Sequence, residues 1–270
     1  MMRSLWTAAS GMKGQQLNVD TISNNISNVN TTAYKKERLE FQSLLYQTME
    51  RASLDEADTG KPVNLQVGLG VKPVSTSRLF STGNLQRTEN NLDFAIEGDG
   101  FFMIQTGEDE VSYTKDGSFK LSPNGDTNNL VTAEGYYVLD TNGEPITLPA
   151  NVPVKDISVN AKGNITYLLN GQVQELGITL GLVQFSNPQG LEAIGGNLYT
   201  KTPASGEPLL EADGDVSNLS NITQGYLELS NVNIAEEMVN LIVAQRAYEL
   251  NSKAITTSDE MLQQANNLKK

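Results

Sequence analysis

Both ends of this 270-residue chain keep a seven-residue apolar rhythm, and the stretch between them keeps none. At the start, Leu5, Met12, Val19 and Ile26 recur every seventh residue, with Ala8, Ile22 and Val29 filling most of a second stripe. Near the end the beat returns as Ile234, Leu241, Tyr248, Ile255 and Leu262. A seven-residue period keeps one face of a helix turned toward a partner helix, so each end reads as a long amphipathic helix with a seam to fill. Such a seam serves one intramolecular helix pair or contacts between copies, and the two uses are compatible. Ala8, Ala9, Gly11, Gly14, Ala244 and Ala247 allow close backbone approach.

The first helix is expected over about Ser4–Val29, roughly 40 Å long, and the last from Asn233 to about Leu268, roughly 50 Å. Gly11 and Gly14 each cost up to ~1 kcal/mol in a helix interior, so the first helix needs packing to hold it. Asn28-Val29-Asn30-Thr31-Thr32 supplies the stop, and the Asn-rich run Asn24, Asn25, Asn28, Asn30 reads as that stop or as a source of contacts between subunits. Asn233 suits an N-cap, with Glu236 and Glu237 at the positive end of the dipole.

Residues 34–46 read as extended at first and helical later, and Glu50 to Pro62 as a polar loop or arm. From about Val67 to Thr200 the turn signals crowd: Gly98-Asp99-Gly100, Asp116-Gly117, Asn124-Gly125, Asn142-Gly143 and Asn170-Gly171. These favour tight hairpins between short strands, hence an antiparallel sandwich or barrel. The fold expected is α+β: N- and C-terminal helices forming a coiled coil, with an inserted all-β domain. Its parts are an assembly helix over 1–30, a connecting arm over 31–70, a β-rich outer domain over 71–229 and a second assembly helix over 230–270.

Chemistry is bounded by what is missing. There is no His and no Cys, which removes thiol nucleophiles, His-based triads, disulfides and structural zinc. Gly98-Asp99-Gly100 precedes Phe101-Phe102 rather than a helix, so it is a turn and not a phosphate loop. Asp213-Gly214-Asp215-Val216-Ser217 lacks the glycine and the bidentate glutamate of a calcium loop. No turn resembles a strained nucleophile elbow. No catalytic residue, cofactor or metal site is expected. A net charge of −13 argues against nucleic acid and anionic membranes as partners. No apolar stretch is long enough to span a bilayer. The first residues lack the unbroken apolar core of a signal peptide, because Lys13, Gln15, Gln16 and Asn18 follow at once.

Ile22-Ser23-Asn24-Asn25-Ile26-Ser27-Asn28-Val29-Asn30-Thr31-Thr32-Ala33-Tyr34-Lys35 resembles the N-terminal signature of bacterial flagellar rod and hook proteins. Within it Asn24, Asn25, Asn28, Thr31, Thr32, Tyr34 and Lys35 match the family's motif. Ser230-Asn231-Val232-Asn233, Glu236-Glu237-Met238-Val239 and the run Gln245–Ile255 resemble its C-terminal block. Gly83-Asn84-Leu85-Gln86, Leu92–Ile96, Gly98–Phe102 and Tyr113–Phe119 resemble its centre. The likeness covers nearly the whole chain in order, and the length and the charged stretch before Gly68-Leu69-Gly70 are most like the distal rod type. Ala33 stands where the family usually has Gly, which questions a positive φ there, and Ser27 where Ala is common. The resemblance implies a structural subunit of the flagellar basal body, exported by the flagellar type III apparatus without a cleaved signal. It implies a helical homopolymer joined to neighbouring rod and hook proteins, hollow, with terminal helices inside and the β domain outside, carrying torque and passing exported subunits. Rival readings are a proximal rod or hook subunit, and a carbohydrate-binding β-sandwich or hydrolase. The latter wants exposed aromatics beside paired carboxylates, whereas Trp6, the sole Trp, sits in the first helix.

Overall fold

A computed structural model describes residues 2–50, 63–107, 110–125, 127–149, 152–169, 172–214 and 218–267. The chain forms two compact units, one of Met1–Ser27, Glu37–Arg78 and Asn233–Lys270, the other of Asn28–Lys36 and Leu79–Val232.

The first unit is built on helices α1 (Met2–Ser27) and α2 (Ile234–Asn267). They run antiparallel, because Ser4 Oγ lies 3.3 Å from Ser258 Oγ at one end and Asn25 Nδ2 lies 3.0 Å from Glu237 Oε2 at the other. Between them a Cβ on Gly11 would stand 2.8 Å from the Asn251 amide. The facing positions therefore step by seven on both helices, and the same register sets Asn18 opposite Ala244. A methyl at Gly11 would therefore have to displace the Asn251 side-chain amide, which goes some way to offset the helix-propensity cost of glycine there. Asn233 caps α2 as expected, its Oδ1 accepting the Ala235 N–H at 3.1 Å.

One helix end and one expected helical run differ from the sequence reading. Helix α1 stops at Ser27, so Val29 lies beyond it in the other unit. The run expected to turn helical near residue 44 is instead strand. β1 (Glu37–Ser43) and β2 (Tyr46–Glu50) pair antiparallel with β4 (Val71–Arg78) and β3 (Leu65–Gly68), making a long two-stranded ribbon. Alternating Arg38, Leu39, Glu40, Phe41 and Gln42 suit a pleated ribbon better than a helix. The β structure thus begins at Glu37 rather than near Val67, and residues 37–78 group with the helices where the sequence reading drew an arm over 31–70 and an outer domain from 71. The polar stretch after Glu50, through Pro62, lies outside the described residues.

Among the described residues the strands of the second unit pair antiparallel throughout, with short 3-10 turns at Val154–Asp156, Pro188–Gly190 and Glu211–Asp213. Its central strand, Phe101–Gln105, is buried on both faces and sends alternate side chains to two cores. Phe102 and Ile104 join Phe94, Ile96, Phe119, Leu130, Ile146 and Leu180, while Phe101 and Met103 join Tyr113, Val183, Phe185 and Tyr199. That period-two split explains why the strand reads as an unbroken apolar run. The second core is closed by edge-to-face rings, Tyr113 on Phe185 at 4.8 Å and Phe101 on Phe185 at 5.8 Å.

The turn signals divide by what they connect. Asn124-Gly125 closes a true hairpin between Lys120–Asn124 and Thr127–Val131, with Gly125 at φ 63°. Gly98-Asp99-Gly100 and Asp116-Gly117 do not close hairpins. Phe94–Glu97 pairs with Asn221–Gln224, and Val111–Thr114 with Phe101–Gln105 and Leu198–Thr200, so both turns carry the chain to a different partner strand. Gly117 is needed there because a Cβ would fall 1.9 Å from the Phe94 carbonyl oxygen. The Asn170-Gly171 turn lies outside the described residues, although the strands either side of it pair.

Candidate assembly interface

Within the helix pair, Ile22 is buried and Leu5, Met12, Val19, Ile26, Leu241, Ile255 and Leu262 are half-buried along the junction. Ile234 and Tyr248 stand 48% and 38% exposed, so these two members of the apolar beat are not covered by the pair. The innermost line on α2 is a different one: Glu237, Ala244 and Ser258 are buried, with Asn251 between them. Small and polar side chains form the centre of the seam, and the apolar beat flanks it.

The keystone is Asn25, wholly buried. Its Nδ2 donates to the Glu37 carbonyl at 2.8 Å and to Glu237 Oε2 at 3.0 Å, while its Oδ1 accepts the Glu37 N–H at 2.9 Å. The amide thus pairs with backbone as a neighbouring strand would, and one side chain joins α1, β1 and α2. In the second unit Asn231 does the same: its Oδ1 accepts the Lys36 N–H at 2.7 Å and its Nδ2 donates to the Leu79 carbonyl at 2.7 Å. The role of Asn25 differs from both sequence readings of the Asn-rich run, a helix stop or contacts between subunits.

The outward side of α2 carries a second apolar line. Val239, Val243, Leu250 and Met261 follow one another by four, seven and eleven residues, with Met238 and Ile242 beside them, and all are exposed. Spacings built from threes and fours keep one side of a helix in line. Nineteen of the large apolar side chains exposed among the described residues fall in the helix-and-ribbon unit, and five (Tyr137, Leu168, Val173, Ile194, Leu219) in the larger β unit. That imbalance marks the first unit as the one with surface to bury.

Residues 28–36 of the second unit hold the rest of the signature. Asn28 Oδ1 accepts the Thr31 hydroxyl at 3.1 Å, and Thr32 Oγ1 donates to Asp116 Oδ2 at 3.2 Å. Ala33 does adopt φ 54°, with its N–H donating to the Glu228 carbonyl, so the position needs the left-handed region even without Gly. Tyr34 and Lys35 are buried. Lys35 Nζ meets Glu228 Oε1 at 2.5 Å and donates to the Ser81 carbonyl at 2.9 Å, and the Gly83 N–H donates to the same Glu228 oxygen at 2.6 Å.

Lys115 is buried nearby, donating to the Gly98 carbonyl at 2.8 Å with its Nζ 5.1 Å from the Phe101 ring centroid. Burial lowers the Lys35 pKa against the pull of Glu228. Burial, then the neighbouring Lys35 charge, push Lys115 down to about 8, against Glu228, Asp99 and Glu211. Below pH 8 the buried Lys115 is charged in both folded and unfolded chains, and its desolvation cost is fully felt. As pH rises through about 8 the folded chain sheds that proton while the unfolded chain, titrating near 10.5, keeps it, so stability rises. The thermal midpoint of the β unit, followed by near-ultraviolet tyrosine dichroism, should therefore climb between about pH 8 and 9.5. Lys115→Met should flatten that climb, and a wild-type midpoint that falls over this window would refute it.

Three stretches match family profiles: residues 5–35 the flagella basal body rod protein, 95–167 the D1 domain of the flagellar hook proteins FlgE/F/G, and 223–268 the C-terminal part of the flagellar basal body rod FlgEFG proteins. The flagellar basal-body rod protein FlgG of Borreliella burgdorferi is 48% identical over 100% of both chains. The chain belongs to the flagellar basal-body rod protein family. FlgG of Buchnera aphidicola (from Schizaphis graminum) is 44% identical over 99% of this chain and all of its own, and FlgG of Bacillus subtilis 40% over the whole of both. It is therefore a structural rod subunit. As a rod family member it carries matches on both helices and the centre, so the units described above are all family parts. No helix among the described residues is long and apolar enough to cross a membrane. The residues that bind the rod protein's own parts together, Asn25 with Glu237 and Lys35 with Glu228, are 212 and 193 positions apart, and no local pattern joins them.

Proposed function

We propose that this chain is a distal rod subunit that polymerises through its helix-and-ribbon unit into a hollow shaft. The terminal helices form the coiled-coil inner wall, the β unit rides outside, and the shaft carries torque to the hook and passes exported subunits. The expected assembly helices (1–30 and 230–270), connecting arm (31–70) and outer domain (71–229) belong to this reading, as do the seam residues Leu5 to Val29 and Ile234 to Leu262. Its partners are further copies, adjacent rod and hook proteins and the flagellar type III export apparatus, which takes the chain across the inner membrane without a cleaved signal. The role is mechanical and involves no catalysis.

The observation that carries this is the second apolar line on α2, left uncovered by a helix pair that already has its own seam. Burying such a line between copies contributes about 25 cal/mol per Å² removed from water, and a repeating contact that does not close on itself builds a helical polymer. Sedimentation of the purified full chain across concentration, with negative-stain electron microscopy, tests it. A cooperative transition to hollow filaments is expected. A single monomeric species up to the solubility limit would sink the reading.

A further inference from the structure

The chain's charge is divided as unevenly as its apolar surface. The helix-and-ribbon unit holds 11 basic and 12 acidic side chains, a net −1, and the β unit 8 basic and 20 acidic, a net −12, together the 19 and 32 of the whole chain. One unit is near neutral with apolar surface to cover; the other is strongly anionic.

We infer that assembly of this chain is gated by ionic strength, with salt promoting it. The inference rests on the assembly reading above. Each copy that joins through the neutral unit brings a further net −12 beside those already there. A unit of this size has a radius of gyration of about 15 Å, so neighbouring β units stand within a few tens of ångströms of each other. At ~10 mM salt the screening length is about 30 Å and like charges repel across an entire unit; at ~150 mM it is about 8 Å and only touching rims feel one another. The apolar attraction of the first unit is not screened in this way. Raising salt therefore removes the opposing term and leaves the attractive one. A polymer held by ion pairs between copies would respond with the opposite sign.

The test is the critical concentration of the full chain, measured by sedimentation at pH 7 from ~10 to ~150 mM NaCl. It should fall at least about tenfold. Glu89, Glu134, Glu144, Glu175 and Glu192 are exposed on the β unit. Changing all five to Gln should lower the critical concentration at low salt and shrink the salt response to a few-fold at most. A wild-type value that stays level or rises with salt would overturn the gate, as would a five-site variant that keeps the full response. Polymer present but indifferent to salt removes the gate alone; polymer absent at every salt concentration removes the assembly reading and the gate with it.

Discussion

Glu228→Gln is expected to destabilise the β unit by about 3–5 kcal/mol, the range for removing one partner of a buried ion pair. The carboxylate is the counter-charge for Lys35 at 2.5 Å, and it also raises the pKa of Lys115. Both lysines are 1% exposed. Without Glu228 two ammonium groups stay in the same dry region, hydrogen-bonded to the carbonyls of Ser81 and Gly98, with only the weaker attraction of Asp99, and for Lys115 of Glu211, to offset them. Lys35→Met should cost less, because the remaining carboxylate keeps the Gly83 N–H and the attraction of Lys115. The double variant, Lys35→Met with Glu228→Gln, should recover part of the loss, since it removes one of the two stranded charges. Urea unfolding followed by far-ultraviolet dichroism reads all three. Equal losses in the two single variants with full additivity in the double would mean that the pair is not coupled.

This buried cluster also shows what one-dimensional reading can reach. The two long helices were legible because a seven-residue period is a local property, and cap and stop residues sit beside it: Asn233 and Asn28 fall where the helices begin and end. Strands of the β unit were legible from turn residues, but their partners were not. Gly98-Asp99-Gly100 looks like any hairpin turn until Phe94–Glu97 is seen to pair with a strand more than a hundred residues away. The seam was half legible. The apolar beat picks out Leu241, Ile255 and Leu262, which flank it, and small-residue spacing picks out Ala244, but neither marks Glu237, Asn251 and Ser258 at its centre. Lys35 was marked by resemblance alone, and its counter-charge lay too far along the chain for any spacing rule. Residues 37–43 are extended as their sequence suggests, but the part after residue 44 is strand rather than helix: a short apolar run fits either equally well, and the deciding partner, residues 65–78, comes after a polar stretch.

Val243→Asp combined with Leu250→Asp should abolish polymerisation while leaving the monomer folded. Both side chains are largely in solvent, 62% and 68% exposed, so a carboxylate at either place costs the isolated chain little, and surface changes usually stay within about 0.5 kcal/mol. Between copies the cost is of another order. A charge carried into an apolar contact without a partner costs several kcal/mol. Two such charges seven residues apart lie on one side of α2 and meet every neighbour in the lattice. Sedimentation should find only monomer at concentrations where the wild type is filamentous, with unchanged helix content by dichroism, and cells carrying the variant should not swim. Leu241→Asp is the informative contrast. Leu241 borders the seam inside the helix pair, so there the monomer itself should lose helix content before assembly is reached. Filaments formed normally by the Val243/Leu250 variant would place the contact between copies elsewhere, on the ribbon of β1–β4, where Tyr46, Met49 and Leu65 are also exposed.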